Sequence, residues 1–319
     1  MKKLVILLTL FLFGCVGFAP KGDGLHPILA HRGVHQTFSN EGLTNATCTA
    51  ERIDPPRHEF LENTIPSLRE TIRLGADIIE VDVHPTTDGD FAVFHDWTID
   101  CRTEGHGVTR EQTMAYLRTL DVGYGYTADG GRTYPLRSKG IGLMPSLAEV
   151  LEAADGITLM INIKSNEASE GVKLAAYLKA RNVPNDKIIV YGGGLSAIET
   201  FRRDAPQYSV FSGQSVKECG VQYMKNAWRN GPLEKCRNGV LIIPVSHRHL
   251  FWGYNSTMVA RLNAVNARVF IAGPAEGIVP KRPGGLDDPM DIKHVPNGAG
   301  IFTNAIEVIG PAIKNGKKR

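Results

Sequence analysis

Short runs of β-branched and aromatic residues alternate along the chain with stretches of helical periodicity. The apolar runs fall at 27–31 (PILAH), 77–83 (DIIEVDV), 90–95 (DFAVFH), 157–163 (ITLMINI), 187–191 (KIIVY), 207–211 (QYSVF), 239–244 (GVLIIP), 267–272 (ARVFIA) and 299–303 (AGIFT). Each is of strand length and rich in Val, Ile and Phe. Helical patterns lie between most of them. The clearest cover Pro66 to Leu74 and Ser146 to Ala154, the second opening with Ser146 and Glu149 in capping-box spacing. Only His84 to Gly89 separate the second run from the third. A parallel crossover needs about a dozen residues or more, so these two runs pair as a hairpin turned at Asp88-Gly89. The other eight strands predict a parallel (β/α)8 barrel. An open doubly wound sheet is the alternative, but no GxGxxG follows the first run, and the YGGGL at 191–195 stands alone.

One strand does not read as core alone. In IIEVDVH, residues Ile79, Val81 and Val83 share one face, and Glu80, Asp82 and His84 the other. Two carboxylates side by side repel each other unless a cation sits between them. The ends of other strands also carry chemistry. The first ends in His31-Arg32-Gly33, the hairpin in His95-Asp96, and the next in Asn162-Ile163-Lys164. In a parallel barrel all of these meet at one mouth. Two imidazoles, a carboxylate pair, a guanidinium and an ammonium suit cleavage of a phosphodiester. Arg32 and Lys164 neutralise the anion, a hard divalent ion on carboxylate oxygens polarises the phosphoryl group, and His31 and His95 serve as base and acid. Ser-His-Asp hydrolysis is disfavoured, because no GxSxG elbow is present.

Composition narrows the setting. The chain has 319 residues, 42% hydrophobic and 22% charged, with a net charge of +3, which gives no reason to expect a nucleic-acid partner. It opens with MKK and the apolar run LVILLTLFLFGC, the form of a secretion signal and too short for an ordinary membrane span. Leu-Phe-Gly-Cys resembles a bacterial lipobox. Residues 1–14 are therefore expected to be a lipoprotein signal peptide, Cys15 a lipidated membrane anchor and 15–25 a tether, with the catalytic domain over 26–319. Plain secretion with cleavage near Ala19 is the alternative. Either way the protein is expected to be exported to a bacterial cell envelope. Four further cysteines remain, Cys48, Cys101, Cys219 and Cys236, with no CxxC pair to suggest zinc. Of the three possible pairings, Cys48–Cys101 and Cys219–Cys236 are favoured. The first staples the long 34–61 segment near the chemistry, and the second closes a short loop.

His31-Arg32-Gly33, Glu62-Asn63-Thr64, Glu80-x-Asp82, Asp88-Gly89 with His95-Asp96, and Pro145-Ser146-Leu147-Ala148-Glu149-Val150-Leu151 together resemble the glycerophosphodiester phosphodiesterase family. The resemblance runs from about residue 28 to 164. The closing GAGIFTNAIEVIGP is similar to the family's ending, with Asn304 where Asp is usual. It implies a distorted barrel and one divalent cation, Ca2+ or Mg2+. It implies hydrolysis of small-molecule glycerophosphodiesters to sn-glycerol 3-phosphate and an alcohol. His31 and His95 are then the acid–base pair, Glu80 and Asp82 metal ligands, Arg32 and Lys164 phosphate-binding, and Glu62 lies beside the metal. Where the family usually has Glu-x-Lys, this chain has Asn162-Ile163-Lys164. Asn162 can offer only a neutral oxygen, so metal affinity should fall or Glu62 should substitute. Residues 34–61 and 121–143 are long insertions, expected to cover the barrel mouth and to bear on the leaving group. Two competing readings are a phospholipase D or sphingomyelinase D-like lipid phosphodiesterase, which the polar 40–60 segment disfavours, and a non-catalytic phosphodiester-binding protein, which the retained histidine pair disfavours.

Overall fold

A computed structural model describes residues 26–39, 41–44, 47–154, 156–192, 194–275 and 284–316. The expected leader, Cys15 and the tether lie outside the described residues. All nine apolar runs form strands: β1 (Ile28–His31), β2 (Ile78–Pro85), β3 (Phe91–Val93), β4 (Thr158–Ile163), β5 (Ile188–Gly192), β6 (Ser209–Ser212), β7 (Val240–Pro244), β8 (Arg268–Ala272) and β9 (Gly300–Thr303). Eight are parallel, in the order β6-β5-β4-β2-β1-β9-β8-β7, while β3 pairs antiparallel with β2, Val83 opposite Val93. The first strand lies beside the last, with Ile28 opposite Ile301. That contact closes a barrel and has no counterpart in an open doubly wound sheet. No ladder joins β6 to β7 among the described residues, so the barrel is nearly closed. β2 runs on to Pro85, and β3 is shorter than its apolar run, leaving His95 and Asp96 on the loop beyond it.

The helices are α1 (Ile65–Leu74), α2 (Met114–Leu117), α3 (Leu147–Ala153), α4 (Ala168–Ala180), α5 (Leu195–Asp204), α6 (Gly213–Asn226), α7 (Ser256–Asn263) and α8 (Ile306–Gly316). α3 starts as its sequence dictates: the Ser146 hydroxyl accepts from the Glu149 N–H, and the Glu149 carboxylate accepts from the Ser146 N–H at 2.8 Å. Period two divides the strand residues between two apolar layers. Ile79, Val81, Val83, Ile161 and Ile163 face outward onto Leu68, Leu147, Leu174 and Phe201 of the helices. Leu29, Ile78, Met160, Ile189, Phe211, Val240 and Phe270 fill the barrel interior. Burying each such side chain is worth about 1.5–3 kcal/mol.

A third apolar cluster belongs to the insertions. Ala50, Ile53 and Leu61 from the first pack with Val122, Tyr126 and Leu136 from the second, and with Ile99, Met114 and Leu117 between them. Main-chain bonds join the two, Thr127 N–H to Ala50 O at 2.9 Å and Ile53 N–H to Thr127 O at 3.2 Å. The two insertions therefore form one unit rather than two separate flaps. Both expected disulfides are present. Cys48–Cys101 staples this unit, and Cys219–Cys236 ties α6 to the turn before β7. Among the described residues, no helix is long and apolar enough to cross a membrane.

Candidate active site

The expected site residues converge at the carboxyl ends of β1, β2 and β4. The strand register sets them side by side: His31 opposite Glu80, and Asp82 opposite Asn162. The turn after β1 needs two left-handed residues in a row, Arg32 at φ 59° and Gly33 at φ 76°. A Cβ on Gly33 would lie 2.4 Å from the Ser67 hydroxyl, so only glycine fits. Asn63 is also left-handed, at φ 59°, a conformation asparagine tolerates. Its N–H bonds Arg32 O at 3.0 Å, which joins the HRG and ENT motifs through the main chain.

Both imidazoles are held by Nδ1. His31 Nδ1 lies 2.7 Å from Asn304 Oδ1, while Asn304 Nδ2 donates to Asp287 Oδ2 at 3.3 Å. With the amide nitrogen turned to Asp287, its oxygen can only accept, so His31 carries its proton on Nδ1. Its Nε2 then accepts from Arg32 Nε at 3.1 Å. His95 Nδ1 lies 2.6 Å from Asp96 Oδ1, which fixes the same tautomer. The side chains of His31 and His95 are 22% and 26% exposed, and those of Glu80 and Asp82 1% and 0%. The imidazoles thus reach the open mouth above a buried acidic floor. Burial, followed by the nearby Arg32 cation, lowers the pKa of both histidines, His31 more strongly.

The two floor carboxylates differ. Asp82 accepts from Asn63 Nδ2 (3.2 Å) and pairs with Arg32 Nε (3.3 Å) on one oxygen, and accepts from Asn162 Nδ2 (2.8 Å) and pairs with Lys164 Nζ (3.2 Å) on the other. Burial alone would raise its pKa, but Lys164, His95 and Arg32 outweigh this and hold it well below the usual carboxylate range. Among the described residues Glu80 has one hydrogen-bond partner, the Tyr191 hydroxyl at 2.6 Å on Oε1, and its buried Oε2, 3.8 Å from His31 Nε2, has none. Burial and the neighbouring Asp82 push its pKa up to about 8. Glu62 is gripped by Arg32 Nη1 at 3.3 Å and Arg102 Nη1 at 3.2 Å, which keeps it ionised despite burial.

Among the described residues, no three His, Cys, Asp or Glu side chains are grouped as a metal cage. The donor set still fits one hard divalent ion. Glu80 offers an orphaned oxygen, Asp82 lies beside it, and Asn162 presents its carbonyl oxygen if its amide turns over. Glu62, between its two arginines, is placed as an anchor for Arg32.

The model of the glycerophosphoryl diester phosphodiesterase family matches residues 31–218. The chain belongs to that family. Divalent-metal dependence is general among its members. A glycerophosphodiester phosphodiesterase of Caldanaerobacter subterraneus subsp. tengcongensis is 35% identical over 170 residues, covering 50% of this chain and 63% of the relative, which is short of two thirds of its length. Two solved structures share the fold. The glycerophosphoryl diester phosphodiesterase domain of Rv2277c from Mycobacterium tuberculosis superimposes with a TM-score of 0.61 at 16% identity, covering 92% of this chain and 100% of that one. An Oleispira antarctica phosphodiesterase in complex with the product sn-glycerol-3-phosphate gives 0.53 at 18% identity, covering 90% and 96%.

Sequence reasoning placed this family's motifs and missed their supports. Tyr191 lies one residue before the end of β5, within the YGGGL run, and its ring stacks on Phe211 at 5.1 Å. Asn304 stands in the sequence only as a departure from the family's ending, with no signal for its bond to His31. Arg102 and Asp287 carried no periodic or motif signal. His84 shares the face of Glu80 and Asp82 but is fully buried, its pKa pulled down to about 4 by burial and then by Lys164, and so it is a neutral packing group.

Proposed function

We propose that this chain hydrolyses small glycerophosphodiesters to sn-glycerol 3-phosphate and an alcohol. The observation that carries the reading is the pair of partly exposed imidazoles, each held through Nδ1 so that Nε2 carries the lone pair, that of His31 turned to Arg32, with Lys164 nearby. As Arg32 turns to the phosphate, the neutral His31 takes a proton on Nε2 from the attacking water while the new P–O bond forms. His95, its imidazolium supported by the Asp96 carboxylate against the burial that lowers its pKa, gives a proton from Nε2 to the leaving oxygen as the P–O bond breaks. Each role is worth about 10²- to 10⁴-fold. Arg32 and Lys164 hold the phosphate oxygens. Glu80, Asp82 and the Asn162 carbonyl would hold Ca2+ or Mg2+, which when bound adds charge neutralisation at the phosphoryl group. The family match and the Oleispira product complex support the substrate class. The basic-apolar start, Cys15 and the two disulfides support an exported, lipid-anchored enzyme of a cell envelope.

The test is release of sn-glycerol 3-phosphate from glycerophosphocholine and glycerophosphoethanolamine by protein lacking residues 1–20. It is run after EDTA treatment and again with Ca2+ or Mg2+ restored. Metal-restored release, abolished in both His31→Ala and His95→Ala, is expected. Turnover that survives in both variants refutes the histidine mechanism. No release with any metal, together with measurable ligand binding, refutes catalysis itself.

A further inference from the structure

Arg102 follows Cys101 in the loop after β3, and its side chain is 2% exposed. A lone guanidinium in such a place is costly. Here it meets four acceptors. Nε donates to Asp96 Oδ2 at 2.8 Å, Nη1 pairs with Glu62 Oε2 at 3.2 Å and donates to the Tyr126 hydroxyl, and Nη2 donates to Thr49 Oγ1 at 2.7 Å. Two of these lead into the active site. Asp96 turns its other oxygen to His95 Nδ1 at 2.6 Å, and Glu62 turns its other oxygen to Arg32 Nη1 at 3.3 Å. The remaining two lead out to the insertions, where Thr49 follows Cys48 as Arg102 follows Cys101, and the disulfide ties these neighbours together.

We propose that Arg102 is a positioning residue for the reaction proposed above, setting His95 through Asp96 and Arg32 through Glu62, with the joined insertions as its seat. A carboxylate bonded through one oxygen can swing. Asp96 and Glu62 are each bonded through both, and Arg102 supplies the second bond in each case. Planar N–H groups at fixed angles make this possible, and a lysine ammonium cannot aim at four such acceptors. The insertions then matter to turnover because they anchor this guanidinium.

The test compares the mature wild-type chain with Arg102→Lys, which keeps the charge and loses the fork. Tyr126→Phe is the milder second variant should Arg102→Lys not fold. The readouts are kcat and KM for glycerophosphocholine and the 15N shifts of His95, which report its neutral tautomer. For folded Arg102→Lys, kcat should fall about 10- to 100-fold, the cost of a misplaced catalytic group. KM should change less than about threefold, because Arg32 keeps its bond to Asp82. His95, freed from a fixed Asp96, should show a new Nε2–H population. Tyr126→Phe should show the same changes, smaller. A kcat within about twofold of wild type overturns the proposal. So does a loss of activity that tracks thermal stability while the His95 tautomer stays on Nδ1. The tautomer comparison needs no substrate. If wild type releases no glycerol 3-phosphate, the functional reading fails while the role of Arg102 is still decided.

Discussion

Glu80 makes a sharp prediction about the metal-free protein. Its folded-state pKa is raised from 4.5 to about 8, by burial first and by Asp82 second. In the unfolded chain it titrates near 4.5. Between those two values the folded state keeps a proton that the unfolded state has lost. Stability contributed by that proton is therefore complete below pH 4.5 and is lost as pH rises through 8. Each unit of difference is about 1.4 kcal/mol, so the full window of 3.5 units is worth roughly 5 kcal/mol. Glu80→Gln cannot titrate and should lack this slope. Urea denaturation of both proteins in EDTA at half-unit steps from pH 5 to 8.5 measures it. The wild-type stability, taken relative to Glu80→Gln, should fall steadily to about pH 8 and then level. Subtracting the variant cancels the opposite contribution of His31 and His95, whose lowered pKa values favour the folded state as pH rises. Saturating Ca2+ should reverse the wild-type loss at pH 8 and have less effect on Glu80→Gln. Parallel pH profiles for the two proteins would show that the Glu80–Asp82 pair is not held as described.

Three further outcomes are expected. Asn162→Asp puts a third carboxylate opposite Asp82 in the register of β2 and β4. Calorimetry should show Ca2+ binding tightened about tenfold or more, and unchanged affinity would place the ion away from Asn162. Removing Cys48–Cys101, which spans 53 residues, should cost about 4 kcal/mol and lower kcat, while removing Cys219–Cys236, which spans 17, should cost about 3 kcal/mol and leave kcat alone. Denaturation curves and turnover of the two Cys→Ser pairs check this. Asn304→Asp sets a carboxylate against Asp287, where the Asn304 amide now donates at 3.3 Å. It should destabilise the fold by about 1–3 kcal/mol at neutral pH, measured by denaturation, and raise the pKa of His31, measured by NMR.

The barrel and its acidic floor were legible because both rest on local rules. Period two puts Glu80 and Asp82 on one face, and the short link to 90–95 forces a hairpin. Strand ends then gather His31, His95 and Lys164 at one mouth. The supports were not legible, because each is a contact between residues far apart in sequence. Tyr191 reaches Glu80 across 111 positions, and His31 reaches Asn304 across 273. The joint core of the insertions was hidden for a similar reason. Ile53, Leu117 and Tyr126 share no period, and they meet where Thr127 and Ala50 join their main chains.

The longest of these contacts shows what barrel closure adds to the chemistry. His31 ends the first strand, and Asn304 follows the last. They meet because β1 pairs with β9, Ala30 beside Thr303. Asp287 accepts the Asn304 N–H at 2.7 Å and the Thr303 hydroxyl at 2.8 Å, fixing the main chain at that junction. The same carboxylate turns the Asn304 amide so that its oxygen faces His31. The protonation pattern that makes His31 a base at Nε2 is thus imposed by the closing strand. An isolated His-Arg-Gly turn, however well formed, would leave the tautomer of His31 to solvent.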